Sequence, residues 1–221
     1  MIETIALYKD FGTEETFITH VIKGISVTIQ TGEFVSIVGP SGSGKSTFLN
    51  LVSTLQKPTS GQILFDNVDI TTFKEKELAE FRNQTIGFIF QSHHLFPELT
   101  ALENVLIPAS IATKEPEFTN RARYLLQRVG LEQRENYRPN QLSGGQCQRV
   151  AIARALLLKP ECIFADEPTG NLDQKSTQEV FELLKELNKE LKTTIVMVTH
   201  DENLASQVPR TITLIDGRLQ T

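Results

Sequence analysis

Residues 37–50, "IVGPSGSGKSTFLN", place three glycines between an apolar run and a lysine. Gly39, Gly42 and Gly44 carry no side chains, so the backbone can bend tightly and turn its N–H groups inward. Phe34–Val38 ahead of them reads as a buried strand. Phe48, Val52 and Leu55 behind them recur at helical spacing. Strand, glycine-rich loop and helix gather N–H donors and the positive end of a helix dipole at one point, which suits an anion. Lys45 adds a point charge able to reach terminal phosphates, and the Ser46 hydroxyl can ligate Mg²⁺. Gly39, Pro40, Ser41, Gly42, Ser43, Gly44, Lys45 and Ser46, with Thr47 following, fit G-x-x-x-x-G-K-[ST], the P-loop. Background residue usage produces such a match in roughly one chain in a hundred of this length. The plainer alternative is a flexible turn beside an exposed lysine, and the flanking strand and helix outweigh it.

Three later stretches carry more chemistry. "CIFADEPTG" (Cys162–Gly170) ends an apolar strand in two acids. Ligands of open α/β sheets bind at the carboxyl ends of strands, so Asp166 is placed to hold Mg²⁺, directly or through water. Glu167 points the other way and is a candidate general base for an attacking water. "IVMVTHD" (Ile195–Asp201) delivers His200 at the end of a second apolar strand, where an imidazole can hydrogen-bond a phosphate or position water. In "LSGGQCQRVAIARAL" (Leu142–Leu156), Ser143 and Gln146 match the S-x-x-Q capping box. Gly144 and Gly145 sit in its first turn, where helix propensity penalises them. Composition leaves open whether this is a second anion site or a plain helix start.

Elements must position these groups. The 221 residues suffice for one α/β domain, with ordinary globular composition of 39% hydrophobic and 22% charged residues. No stretch approaches the roughly 18 apolar residues of a membrane span. "MIETIALYKD" lacks the cationic start of a secretory leader, so none is expected. Two cysteines without such a leader suit a reducing compartment, and no disulfide is expected. Cys162 reads as core. A net charge of −5 argues against broad adhesion to nucleic acid or anionic membranes, so phosphate binding must be local. Strands are expected over residues 2–8, 21–30 and 62–66, at Ile86–Phe90, and in the two acid- or histidine-tipped runs. "TITLIDGRLQT" reads as a hairpin around Asp216–Gly217. Helices are expected over Lys74–Asn83, Ala101–Ala112, Thr119–Val129 and Ser143–Leu157. A further stripe runs through Val180, Leu183, Leu184, Leu187 and Leu191. The alternation predicts a parallel sheet covered by helices and split by a helical insert.

P-loop, "LSGGQ", "FADEPTGNLD" and "VTHD", in that order, resemble the nucleotide-binding subunit of an ABC transporter over essentially the whole chain. The resemblance implies an α/β fold: a P-loop NTPase core of mostly parallel sheet with helices, an N-terminal antiparallel β subdomain and an inserted α-helical subdomain. It implies a single ATPase domain over 1–221, with the helical subdomain at about 92–157. It implies ATP and Mg²⁺, and a head-to-tail homodimer. Each ATP is sandwiched between one subunit's P-loop and the other's Ser143, Gly144, Gly145 and Gln146. Gln91 matches the Q-loop glutamine that senses Mg²⁺ and the membrane partner. Gly170–Asp173 match the D-loop, with Asp173 toward the nucleotide. Phe11 aligns with the aromatic that stacks on adenine, with Tyr8 close by as the alternative. Cys147 stands where a polar residue is usual and puts a thiol beside the signature, which raises oxidation sensitivity.

Within that family, Arg82–Pro108, "YRPNQLSGGQ" and "ADEPTGNLD" resemble the ATPases of lipoprotein-releasing complexes; macrolide-exporter-like and cell-division-type ATPases are the alternative. This implies two transmembrane subunits, a peripheral place on the cytoplasmic face of the bacterial inner membrane, membrane contact through the partner alone, and no nucleic acid. Residues 92–108 would meet a cytoplasmic coupling helix of the partner. Leu95, Phe96 and Leu99 either form its groove or belong to the subdomain core.

Overall fold

The structure is a computed structural model, and it describes residues 1–12, 17–111 and 115–220. The expected helix end at Ala112 and the final Thr221 lie outside the described residues. The chain divides into two compact units, Met1–Arg82 with Thr194–Thr221, and Asn83–Thr193.

The first unit holds two sheets. β1 (Ile2–Phe11), β2 (Thr19–Ile29), β4 (Ser60–Phe65) and β5 (Val68–Asp69) form an antiparallel sheet in the order β2-β1-β4-β5. β3 (Phe34–Val38) runs parallel to both β8 (Thr194–Val198) and β9 (Arg210–Ile215), with Val35 opposite Val196 and Arg210. Residues Phe34–Ile37 and the whole of β8 are buried, as a parallel strand covered on both faces requires. Ser36 is the one polar residue of β3, and its hydroxyl meets that of Thr211 at 2.9 Å. β9 returns to β10 (Arg218–Leu219) through Asp216 and Gly217. Both turn residues have positive φ, the geometry that matches strand twist in a two-residue hairpin. Asp66–Asn67 repeat that geometry between β4 and β5, and the sequence reading did not find this second hairpin. α1 (Lys45–Val52) packs Phe48, Leu49, Leu51 and Val52 inward. The helix stops before Leu55, which is 44% exposed, so the expected third member of its stripe is not core.

The second unit pairs β6 (Ile86–Phe90) in parallel with β7 (Cys162–Asp166), and the register ends with Phe90 opposite Asp166. Its helices are α3 (Ala101–Ile111), α4 (Glu115–Arg128), α5 (Gly144–Leu156) and α6 (Gln174–Leu191). α2 (Glu75–Thr85) precedes β6, and α7 (Glu202–Ala205) follows β8. α5 is buried on most of its circumference. Its alanines let backbones approach, and a Cβ at Gly87 of β6 would lie 2.6 Å from the Ala155 carbonyl. On α6 the buried stripe is Val180, Phe181, Leu184 and Leu187. Leu191, expected in that stripe, is the last residue of the helix and is 39% exposed. Among the described residues no helix is long and apolar enough to cross a membrane.

One buried side chain does much to hold the loop between β6 and α3. Asn104 is fully buried; its amide donates to the carbonyls of Phe96, Leu99 and Thr100 and its carbonyl accepts from the Phe96 N–H. A buried backbone group left unpaired costs roughly 1–3 kcal/mol. Asn104→Leu, near-isosteric but mute, is therefore expected to destabilise the chain by about 2–4 kcal/mol, read from urea unfolding midpoints at unchanged slope.

Candidate nucleotide site

In the first unit β3 runs straight into the glycine loop. Gly39 has φ of 150°, and a Cβ there would lie 2.0 Å from the Leu214 carbonyl, so only glycine fits. Gly44 is the N-cap of α1 in a left-handed conformation, and among the described residues no side chain caps the helix. The first-turn amides, which a serine or aspartate would otherwise satisfy, are thereby presented to whatever lies in the loop. Lys45 is 9% exposed, and its ammonium donates at 2.9 Å to the carbonyls of both Gly39 and Pro40. The charge is thus folded back over the loop that it would serve. The Ser43 hydroxyl oxygen is buried and, among the described residues, has no hydrogen-bond partner. Gly42, Ser41 and Ser46 are exposed beside it, with Thr47 half-buried.

His200 lies two residues past β8. The Thr199 N–H donates to the Ile37 carbonyl, and Asp201 caps α7 through the N–H groups of Asn203 and Leu204. These bonds fix the backbone on both sides and leave His200 exposed on a cleft of about 580 Å³ that it shares with Val38, Gly39 and Pro40. The expected meeting of His200 with the P-loop is therefore present. Phe11 ends β1, 41% exposed, with the Lys9 ammonium 5.1 Å from its ring centre. Tyr8 instead lays its hydroxyl over Gly24, where a Cβ would come within 2.7 Å.

In the second unit the pairing of Phe90 with Asp166 brings Gln91 and Glu167 to the same strand ends. Gly170 marks the approach, since a Cβ there would lie 2.8 Å from the Gln91 amide nitrogen and 3.1 Å from a Glu167 carboxylate oxygen. Glu167 has φ of 47°, an uncommon conformation for a residue with a side chain. Gln91 donates to the Asn171 side chain at 3.0 Å, and the Asn171 amide returns to the Gln91 carbonyl at 3.3 Å. Asn171 escaped the sequence reading; its only signal was its place inside "GNLD".

The capping box of α5 is formed. The Ser143 hydroxyl accepts from the Gln146 N–H at 3.3 Å, and the Gln146 side chain accepts from the Ser143 N–H at 2.9 Å. Gly145 faces Ser176, where a Cβ would lie 2.9 Å from the hydroxyl. Ser176 in turn donates its hydroxyl and its N–H to the two oxygens of Asp173, the N-cap of α6. Those bonds hold the Asp173 carboxyl below the usual carboxylate range. Asp173 is thus occupied as a cap, beside the signature turn. Cys147 is not in polar surroundings: it is 7% exposed, its thiol meets the Pro139 carbonyl at 3.6 Å, and burial raises its pKa. Cys162 is buried, and its thiol is pushed well above the ordinary range. Both cysteines are free.

The model of the ABC transporter family matches residues 22–170. The chain belongs to the ABC transporter family. The lipoprotein-releasing system ATP-binding protein LolD of Leptospira interrogans is 52% identical over 96% of this chain and 88% of its own length. The uncharacterized ABC transporter ATP-binding protein YvrO of Bacillus subtilis is 50% identical over 96% of the chain and 91% of its own length. Among solved structures, the dimeric post-hydrolysis state of the ATP-binding cassette MJ0796 with ADP and Pi superposes with a TM-score of 0.87. It is 42% identical and covers 100% of this chain and 97% of its own. The α/β architecture is that of a P-loop ABC cassette with an antiparallel β subdomain, and the protein is an ABC-type ATPase. ATP fits the residues present: uncapped amides, an unpartnered buried hydroxyl at Ser43 and an inward-held ammonium are what a polyphosphate would satisfy.

Two outcomes test this cassette. Lys45→Ala is expected to weaken ATP binding at least about a hundredfold, equivalent to about 2.8 kcal/mol, in equilibrium titration; intact affinity would overturn its phosphate role. Cys147, being buried with a raised pKa, should react with a thiol alkylator far more slowly at pH 8 than the same protein in urea. Equal rates would restore the oxidation-sensitive reading.

Proposed function

We propose that this ABC ATPase powers a lipoprotein-releasing system, moving lipoproteins from the bacterial inner membrane toward the outer membrane. The carrying observation is the near-full-length identity to a lipoprotein-releasing system ATP-binding protein. The segment Arg82–Pro108, which contains the strand β6, Gln91 and the loop held by Asn104, supports it. In this reading the chain is a single ATPase domain over 1–221 with an α-helical subdomain at about 92–157. It sits peripherally on the cytoplasmic face and reaches the membrane through two transmembrane subunits. Phe96 is 54% exposed and Leu95 and Leu99 are half-buried, which favours a partner groove over pure subdomain core.

The residue roles follow the geometry of each unit. Lys45 and the backbone N–H groups of Gly39 and Ser41–Thr47 hold the phosphates and stabilise developing charge. Glu167 is the general base, and Gln91, held beside it, orients the attacking water or the metal. His200 contacts the γ-phosphate from the cleft beside Gly39. Phe11, rather than Tyr8, stacks on adenine, because Tyr8 is already packed on Gly24. The Ser46 hydroxyl in the first unit, and the Asp166 carboxylate and Gln91 amide oxygen in the second, are the groups that would hold Mg²⁺, which would offset the phosphate charge. Among the described residues no three acidic, histidine or cysteine side chains converge on one point, and a magnesium ion that rides on its substrate does not need such a cage. Two copies close head-to-tail, with Ser143–Gln146 of one against the ATP of the other.

Glu167→Gln should keep ATP binding, lose roughly a thousandfold in turnover and form an ATP-dependent dimer on size-exclusion chromatography. Turnover at the wild-type rate would remove Glu167 as the base. Isolated from native membranes with ATP, the same variant should bring two related transmembrane subunits and bound lipoprotein, identified by mass spectrometry. A single exporter-like or division-type subunit would keep the ATPase and refute the cargo.

A further inference from the structure

Two residues after Gln91 the chain enters an uncommon backbone conformation, one that histidine tolerates better than most residues but seldom twice running. His93 and His94 are consecutive residues with φ of 60° and 49°, in the left-handed well. For a residue with a side chain that well costs roughly a tenfold loss of population. Two in a row, neither of them glycine or asparagine, persist only when neighbours impose them.

The turn makes two local bonds, from the His93 N–H to the Phe90 carbonyl and from the His94 N–H to the Ser92 carbonyl, and the side chains that grip its carbonyls come from α5. Arg154 spans both strained carbonyls, donating to His93 at 2.7 Å and to His94 at 2.5 Å. Burial lowers the pKa of that guanidinium from the ordinary arginine range without discharging it. Gln148, fully buried in the same helix, donates to the Phe90 carbonyl at 3.3 Å and meets the His93 ring with its amide oxygen. The His94 ring packs 4.7 Å from that of Phe90. The residues on either side of Gln91 are therefore gripped by the helix whose first turn is Ser143–Gln146. Nothing in the assigned chemistry uses Arg154 or Gln148.

We propose that Arg154 is a positioning residue: its two-carbonyl grip imposes the His93–His94 turn, and that turn aims Gln91 and carries the Leu95–Leu99 segment with the signature helix as one body. The proposal rests on the ATPase reading above, in which Gln91 acts at the nucleotide. A lysine cannot reproduce the grip, because an ammonium is a point donor and not a planar fork.

The test uses the complex as isolated from membranes. Arg154→Lys is expected to lower kcat about tenfold while ATP affinity stays within twofold, because the P-loop is untouched. Hydrogen exchange in peptides covering 91–97 should quicken while α6 peptides keep their rates. His94→Gly adopts the left-handed well without penalty. Alone it should stay within about twofold of wild type, and combined with Arg154→Lys it should recover most of the lost turnover. Should Arg154→Lys fail to accumulate folded, His94→Val with Arg154 intact carries the same expectation, since β-branching opposes the turn. Unchanged kcat and exchange in Arg154→Lys, or in His94→Val where that variant stands in, would overturn the proposal. So would a loss that His94→Gly does not repair. Absence of ATP hydrolysis in the wild-type complex would instead overturn the functional reading itself.

Discussion

Holding a polyphosphate with backbone amides imposes one constraint on everything around it: a strand must stop abruptly and a helix must begin without a cap. Here β3 ends at Val38 and α1 begins at Lys45 behind a glycine in the N-cap position. The uncapped amides are a cost to the isolated helix, and the packing of Phe48, Leu49, Leu51 and Val52 offsets it. The contrast with α5 is instructive. That helix has its cap, with Ser143 and Gln146 satisfying each other's N–H groups. The two glycine-rich helix starts, similar by composition, thus differ in what they ask of a nucleotide.

Much of this was legible from residue types because phosphate chemistry admits few solutions. β3, β6 and the Asp216–Gly217 hairpin fall where apolar runs and turn residues placed them. Asp166 and Glu167 end an apolar strand as its residue types suggested, whereas Gln91, at the end of the paired strand, was singled out through the family resemblance alone. What escaped was set by tertiary contact. Leu55 and Leu191 keep helical spacing but lie past the last packed turn, so periodicity overstated their burial. Cys147 stands among glutamines in sequence, yet the near-total burial of α5 makes it core. Asn171 and Arg154 pair with residues distant in sequence, and pairing of that kind leaves no periodic trace.

Polar groups buried with full partnership define the second unit more sharply than its apolar core does. Asn104 satisfies four backbone groups of one loop. Gln148 holds the Phe90 carbonyl at the strand end, and Arg149 bridges the Val129 carbonyl to the Glu179 carboxylate. Hydrophobic packing tolerates small slips in register, whereas a network of this sort loses a full hydrogen bond for each. Between Phe90 and Asn104 the backbone is therefore tied at Phe90, His93, His94, Phe96, Leu99 and Thr100 although it forms little regular structure.

The division of the chain has a consequence for biogenesis. The second unit is continuous in sequence, while the first is assembled from both ends of the chain, with Val35 completed only by Val196 and Arg210. During synthesis the continuous unit can close as soon as it is made. β3 emerges early and has no parallel neighbour until the last part of the chain has left the ribosome. The phosphate loop, which depends on β3 being fixed between β8 and β9, is therefore the last functional feature to mature. A chain that lacks β8 and β9 leaves the apolar faces of Phe34–Val38 without their parallel neighbours, and with them the support of the phosphate loop.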